Sequence, residues 1–309
     1  MKVLVKTGDM SREDWLKWRT KGIGGSDVSV IAGINKFRSI FQLWLEKTGQ
    51  VIPEEVETEY THFGTVLEPI VKKEFVRRTG LKVRAKKMLL QSEDYPFMIA
   101  DLDGVIYENG EICIFEAKTA STYKEEVWKS GVPEEYMLQV QHYMAVTGAK
   151  KTYIAALVGG NQFYYHEVHR NEELISLIID MEKHFWEQNV LKGKEPTPDG
   201  SEATTDYFNS KYSQSNGAAI ELPETALMLC RQYDELTEQL NELKDRKEAI
   251  SNQLKNYLKD NEVGVVGNRR VIWKQITATY FDKKRLEKEN REIYEAYVSQ
   301  NQYRRLMVA

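Results

Sequence analysis

Asp101-Leu102-Asp103-Gly104, followed through Asn109-Gly110 by Phe115-Glu116-Ala117-Lys118, is the stretch that decides how this chain reads. Asn-Gly between two apolar runs is the strongest short hairpin signal a sequence offers. With Asn109 and Gly110 as the loop, Glu108 faces Glu111, position 103 faces 116, and position 101 faces 118. Side chains alternate faces along a strand, so Asp101, Asp103, Glu116 and Lys118 are expected on one face. Opposed side chains stand roughly 4.5–5.5 Å apart at Cβ, and like charges so placed destabilise a sheet. A divalent cation between the acids removes that conflict, with Lys118 standing beside it. An exposed edge hairpin would carry the same charges, but Phe97, Ile99, Val105, Ile112, Ile114 and Phe115 mark this one as buried.

The 309 residues suffice for one large domain with an appendage, or for two domains. Apolar residues make up 41% and charged residues 29%, the balance of a folded globular chain rather than a disordered one. No apolar run reaches membrane-spanning length, and Met1–Lys6 lacks the apolar core of a secretory signal. Cys113 and Cys230 suggest no disulfide framework and cannot supply a four-cysteine iron–sulfur cluster, so a reducing cytoplasm is expected. A net charge of −4 argues against a protein that merely coats DNA, but not against a nuclease with an acidic, cation-screened site and locally basic surfaces.

Ser11-Arg12-Glu13-Asp14 resembles a capping box opening a helix with Trp15, Trp18 and Arg19. Gly22-Ile23-Gly24-Gly25-Ser26-Asp27 then offers backbone amides and a hydroxyl as an anion seat, or only a turn. A helix is expected over 39–48 and an acidic loop over 50–60. Thr65 and Glu68 read as a second capping box, with Pro69 in a helix's first turn and Glu68 aimed at the hairpin. Arg77, Arg78, Lys82, Arg84, Lys86 and Lys87 form a basic stretch, either solvated or suited to phosphates. A helix from Pro133 to Gly148 puts Tyr136, Gln139 and Tyr143 on one face. Strands over 152–158 and 162–169 and a helix over 172–191 complete an α/β (α+β) core in residues 1–195.

Residues 196–217 read as a linker rich in Pro, Gly, Ser, Thr and Asn. Beyond it, Leu229, Tyr233, Leu236, Leu240, Leu243, Lys247, Ile250, Leu254 and Tyr257 keep alternating 3–4 spacing, which fits a coiled coil or a helical hairpin. A short strand pair around Gly267-Asn268 and a basic, tyrosine-bearing tail finish the 218–309 extension.

Asp103 with Glu116-Ala117-Lys118 resembles the signature of the PD-(D/E)XK nucleases, and Gln139-Val140-Gln141-His142-Tyr143 resembles the QxxxY helix of the branch holding RecB-type and lambda-type exonucleases. With Gly64–Glu68 upstream and Trp18-Arg19…Gly24-Gly25-Ser26-Asp27 near the start, residues 10–195 look like the YqaJ-type viral recombinase, lambda-exonuclease-like family. The resemblance implies a restriction-endonuclease-like core, a central mixed sheet flanked by helices. It implies that Glu68, Asp103, Glu116 and the Ala117 carbonyl hold one or two Mg²⁺ or Mn²⁺ ions, and that Lys118 orients the attacking water. Gln139 and Tyr136 would line the site, while Arg19 and Ser26 would hold a 5′-phosphate; Tyr143 is a further candidate. Where the lambda-type enzyme has a serine, this chain has Asp101, a group that cannot donate to a phosphate. Leu67 stands where some relatives carry a metal-binding histidine.

Three hard carboxylates and a carbonyl suit Mg²⁺ or Mn²⁺ rather than zinc. The expected activity is that of a phage or prophage exonuclease, acting 5′→3′ from duplex DNA ends in the bacterial cytoplasm. Its products would pass to a single-strand annealing protein, and the resemblance implies a trimeric ring. An end- or structure-specific endonuclease and a non-catalytic DNA-binding scaffold are the alternatives.

Overall fold

In a computed structural model, which describes residues 1–52, 58–299 and 303–308, the chain divides into two compact units, Met1–Phe208 and Asn209–Ala309. The first unit begins with a strand the sequence reading missed, β1 (Lys2–Lys6), and continues with helices α1 (Arg12–Arg19), α2 (Gly25–Ile31), α3 (Ile40–Lys47) and α4 (Glu59–Thr79). Strands β2 (Val83–Gln91), β3 (Ile99–Glu108) and β4 (Glu111–Ala120) follow. Helices α5 (Glu125–Ser130) and α6 (Glu134–Thr147) carry the chain to β5 (Lys151–Val158) and β6 (Gln162–His169). Helix α7 (Glu172–His184) runs on as a π-helical segment, Phe185–Leu191, and α8 spans Glu202–Lys211.

The six strands form one sheet in chain order, antiparallel except for the parallel β4–β5 pair. Parallel neighbours need a crossover, and α5 and α6 supply it. The sheet is covered on both faces. On one, Val71 and Phe75 of α4 pack against Ile106, Cys113, Phe115 and Tyr153. On the other, Val140 and Met144 of α6 and Ile175 and Ile178 of α7 pack against Ala100, Leu102, Val105, Ile114 and Ile154.

Two local readings are corrected. Helix α4 does not start beside Pro69. Its cap is Thr58, whose hydroxyl accepts from the Thr61 amide, and the helix runs through Pro69. Glu68 is therefore a mid-helix residue. Thr65-x-x-Glu68 has the spelling of a capping box but lies one residue ahead of a proline that a long, packed helix tolerates at the loss of one backbone bond. Within residues 196–217, α8 packs back on α3: Thr204 donates to Ser39 at 2.9 Å, and Tyr207 and Phe208 meet Phe41 with ring centroids 5.2 and 5.4 Å away. Its polar composition hid two aromatic anchors. Of the acidic stretch expected as a loop over 50–60, residues 53–57 lie outside the described residues, and Thr58, Glu59 and Tyr60 cap and open α4 instead.

The second unit holds the 34-residue helix α9 (Thr225–Leu258), the hairpin β7 (Val263–Val266) and β8 (Arg269–Ile272), and short helices α10 (Lys283–Glu289) and α11 (Arg291–Tyr297). The apolar row of α9 lies along an exposed face, with Leu236, Leu240 and Leu243 each more than half exposed.

Candidate active site

The expected register holds from Glu108↔Glu111 to Gly104↔Phe115. Gly104 is required where the strands crowd: a Cβ there would lie 2.5 Å from Val83 Cγ1 and 3.1 Å from the Arg84 carbonyl. Beyond it the two strands part. Leu102 and Val105 both pack into the α6-side core, which strict alternation forbids for residues three apart, and the β2–β3 register shifts in the same region. The expectation of one flat face for Asp101, Asp103, Glu116 and Lys118 is corrected accordingly. Asp101 pairs with Leu89 on β2 instead of facing position 118, and Asp103 turns its Oδ2 to accept from the Ala117 amide at 2.8 Å. The parting opens a cleft of about 540 Å³, lined by residues from both helical layers. Glu68 enters from α4; Tyr136, Gln139 and Tyr143 enter from α6; Asp101, Asp103, Glu116, Ala117 and Lys118 come from the strands; Arg19 and Ser26 come from α1 and α2. The two strands and helices thus bring every proposed site residue to one cleft.

Burial dominates the electrostatics. Glu116 accepts at Oε1 from Lys118 Nζ (2.7 Å) and Gln139 Nε2 (2.8 Å), while its Oε2 is buried without a partner. Burial, then the Asp103 charge, pushes its carboxyl up to about 8. Burial also raises Asp103, Asp101 and Glu68, the last helped by repulsion from Asp103. Burial alone would lower Lys118, but Glu116 and Asp103 outweigh it and hold the ammonium above its ordinary value. One ammonium thus faces several carboxylates, and the excess negative charge is what lifts Glu116 despite its lysine.

The donors fit a hard divalent cation by type: they are all oxygen, they are crowded, and one oxygen is buried and unpaired. They are not drawn into a shell, since among the described residues no three His, Cys, Asp or Glu side chains stand grouped for a metal ion. Asp103 is turned toward Ala117, and Glu116 toward Lys118 and Gln139.

Helix α6 supports the acids. Gln139 Nε2 also donates to the Tyr143 hydroxyl at 2.9 Å, and Lys118 Nζ lies 4.9 Å from the Tyr136 ring centroid. Tyr136 stacks on the fully buried Trp128, with centroids 5.6 Å apart. Gly25 lets α2 approach α6: a Cβ there would sit 2.5 Å from the Tyr143 ring and 2.9 Å from Gln139 Cγ.

Arg19 donates to the Ser26 hydroxyl at 2.7 Å. Behind it lies a set of residues that the sequence reading missed. Asp27 is fully buried and meets Lys47 (2.7 Å), Arg38 (2.8 Å) and Arg19 (3.5 Å). Burial pushes Asp27 up, but the three cations more than offset it and hold the carboxyl far below its ordinary range. Trp15 was also missed as a site residue; its Nε1 donates to Asp101 Oδ2 at 2.8 Å. Asp27 had a signal, an acid at the third position of a helix after glycines. Lys47, at the end of an amphipathic helix, had none.

A model of the YqaJ-like viral recombinase domain matches residues 14–150. The curated protein "Uncharacterized protein YqaJ" of Bacillus subtilis (strain 168) is 42% identical over 307 residues, which is 98% of this chain and 96% of that protein. The chain belongs to the YqaJ-like viral recombinase family. An uncharacterized protein of Acanthamoeba polyphaga mimivirus is 27% identical over 158 residues, 45% of this chain and 27% of that protein. Among solved structures, the alkaline exonuclease LHK-Exo from Laribacter hongkongensis superposes with a TM-score of 0.50 at 21% identity, over 58% of this chain and 93% of that one. At that identity the likeness speaks for the fold, a restriction-endonuclease-like core. For this recombinase-family chain, no helix among the described residues is long and apolar enough to cross a membrane.

Proposed function

We propose that this chain is a metal-dependent deoxyribonuclease that hydrolyses phosphodiesters from the ends of duplex DNA, 5′→3′, leaving single strands for an annealing protein. The observation that carries this reading is the unpartnered Glu116 Oε2 among raised carboxyls, with the Lys118 ammonium 2.7 Å from the other oxygen of the same group. Glu68, Asp103, Glu116 and the Ala117 carbonyl hold Mg²⁺ or Mn²⁺, as one or two ions. Such a cation acidifies water and neutralises charge on the phosphate.

The chain's own groups do the rest. Lys118, kept charged by its acidic neighbours, orients water and steadies the charge that develops on the phosphate. Gln139 and Tyr143 fix the carboxylate plane of Glu116, so that its free oxygen keeps one direction. Arg19 and Ser26 form a donor pair at the cleft wall that suits a phosphate oxygen, and Tyr136 walls the lysine from one side. A ring of three copies in the bacterial cytoplasm completes the reading, by family resemblance.

The test is digestion of linear duplex labelled at one end, with Mg²⁺ or with chelator, and with or without a 5′-phosphate. Magnesium-dependent release of nucleotides from one end is expected. Cutting of covalently closed circles at a comparable rate would replace the exonuclease by an endonuclease, and no hydrolysis under any condition would overturn the nuclease reading.

A further inference from the structure

Helix α1 has a hollow on either side. Its Trp15 and Arg19 line the cleft of the acids, whereas Lys17 and Trp18 line a second groove of about 570 Å³. Strand β2 continues into both, with Leu89 in the cleft and Lys87 in the groove. The groove also takes Lys6 and Lys21, so four lysines face two aspartates, Asp9 and Asp14. In a chain whose net charge is −4, that is a local reversal of sign.

The lysines differ in what they are committed to. Lys17 is paired with Glu13 at 2.8 Å and lies 3.6 Å from Asp14, which Ser11 also holds by donating its hydroxyl at 2.8 Å. Lys21 instead rests its ammonium 3.7 Å from the centroid of the Trp18 ring. A π face orients a cation without neutralising it. Lys6, Lys21 and Lys87 are exposed and have no carboxylate partner among the described residues. Three uncompensated ammonium groups along one groove, one of them propped by a tryptophan, match a run of phosphates rather than a single ion. The one paired acid of the groove, Asp14, is held by Lys17 and Ser11, and among the described residues no buried acceptor that would read a base edge lines it, so its readout is of backbone, not of sequence.

We propose that this second groove binds the phosphate backbone of the duplex on the far side of α1 from the acids, with Lys6, Lys21 and Lys87 as the phosphate contacts. The proposal rests on the nuclease reading for its substrate but not for its measurement. It makes α1 a divider: the reacting strand lies on the Trp15–Arg19 side and held duplex on the Trp18–Lys21 side.

Binding of a 30-base-pair duplex is measured against salt for the full chain carrying Lys118→Ala, so that cutting does not interfere. The same chain with Lys6→Ala, Lys21→Ala and Lys87→Ala is compared with it. Each phosphate contact contributes about 0.9 to the slope of log affinity against log salt, so the slope is expected to fall by about 2 to 3. Counted over the decade from 1 M salt, that change corresponds to a rise in duplex Kd at 0.1 M salt of about 10²- to 10³-fold. A control with Lys129→Ala, Lys183→Ala and Lys192→Ala removes the same charge from outside both hollows and should leave the slope in place. In the Lys118 background-free chain, hydrolysis of the p-nitrophenyl ester of thymidine 5′-monophosphate, too small to reach the groove, should be equal with and without the three groove lysines. An unchanged slope, an equal loss in the control, or no duplex binding by the parent overturns the proposal. Failure of the chain that retains Lys118 to hydrolyse either substrate while the slope shift persists would overturn the nuclease reading alone.

Discussion

The side-chain amide of Gln139 reaches across from α6 to donate 2.8 Å to Glu116 Oε1, which leaves Oε2 buried and without a partner. A helix thus fixes which oxygen of a strand carboxylate stays available. Replacing Gln139 by Leu frees the carboxylate to rotate and strips the Tyr143 hydroxyl of its donor. Turnover of duplex is expected to fall about 10²-fold, the cost of losing one fixed polar contact at a reacting centre, with the melting temperature nearly retained. Single-turnover cleavage and thermal unfolding check this together.

Lys118→Ala should leave duplex affinity within a factor of about three and lower cleavage about 10³-fold, in the range seen when one charge-stabilising donor is lost. The readouts are a binding titration without divalent cation and a quenched-flow assay with it. Robust cleavage by this variant would remove Lys118 from the reaction.

Glu116 makes the folded protein pH-sensitive in a direction opposite to most acids. Its carboxyl is raised in the folded state to about 8, against about 4.3 in the unfolded chain. The native state therefore holds a proton that the unfolded chain has lost, and stability declines as pH rises between those values, then levels off. Glu116→Gln abolishes this contribution. Its melting temperature relative to the parent should climb from pH 5 to pH 8 and plateau above. Adding Mg²⁺ at pH 8 should stabilise the parent and not the variant. Denaturation curves across pH, with and without the ion, decide it.

Asp27 behaves in the reverse sense. Its folded carboxyl is held far below the ordinary value of about 3.9, so its contribution is present above that value and is lost as pH falls below it. Asp27→Asn leaves Lys47 and Arg38 without their shared acid and should cost about 3–5 kcal/mol at pH 7, the usual penalty for breaking a buried ion pair. The gap between parent and variant should narrow below about pH 4. Arg19 loses an anchor too, so duplex binding should weaken in the same variant.

Gly25→Ala places a methyl 2.5 Å from the Tyr143 ring. Overpacking of this kind costs about 1–3 kcal/mol. Here it also pushes α2 from α6, so activity should fall by more than the stability loss explains. Gly64→Ala, whose added Cβ would meet only Thr119 Oγ1 at 3.8 Å, serves as the benign comparison on the same cleft.

The hairpin, its register as far as Gly104↔Phe115, and the α6 face were legible because each rests on local rules: Asn-Gly fixes a two-residue loop, and 3–4 spacing fixes a helix face. Three things were not. The parting of β3 from β4 at Asp103 is set by packing of Leu102 and Val105 into the same core, a tertiary demand that overrides alternation. Glu68 was assigned to the right cleft for the wrong reason, since nothing in Thr65–Pro69 shows that a helix has already begun at Glu59. The Asp27–Lys47–Arg38 set joins residues of two helices and of the loop between them, and no spacing rule links them.

Where the sheet parts, one carboxylate oxygen takes the place of a lost rung: Asp103 Oδ2 holds the Ala117 amide. Whatever draws that oxygen away unlatches the two strands at the same stroke. The amide hydrogen of Ala117 is therefore a built-in gauge, whose exchange with solvent reads out how far the acid has been diverted from mending the sheet to serving the chemistry.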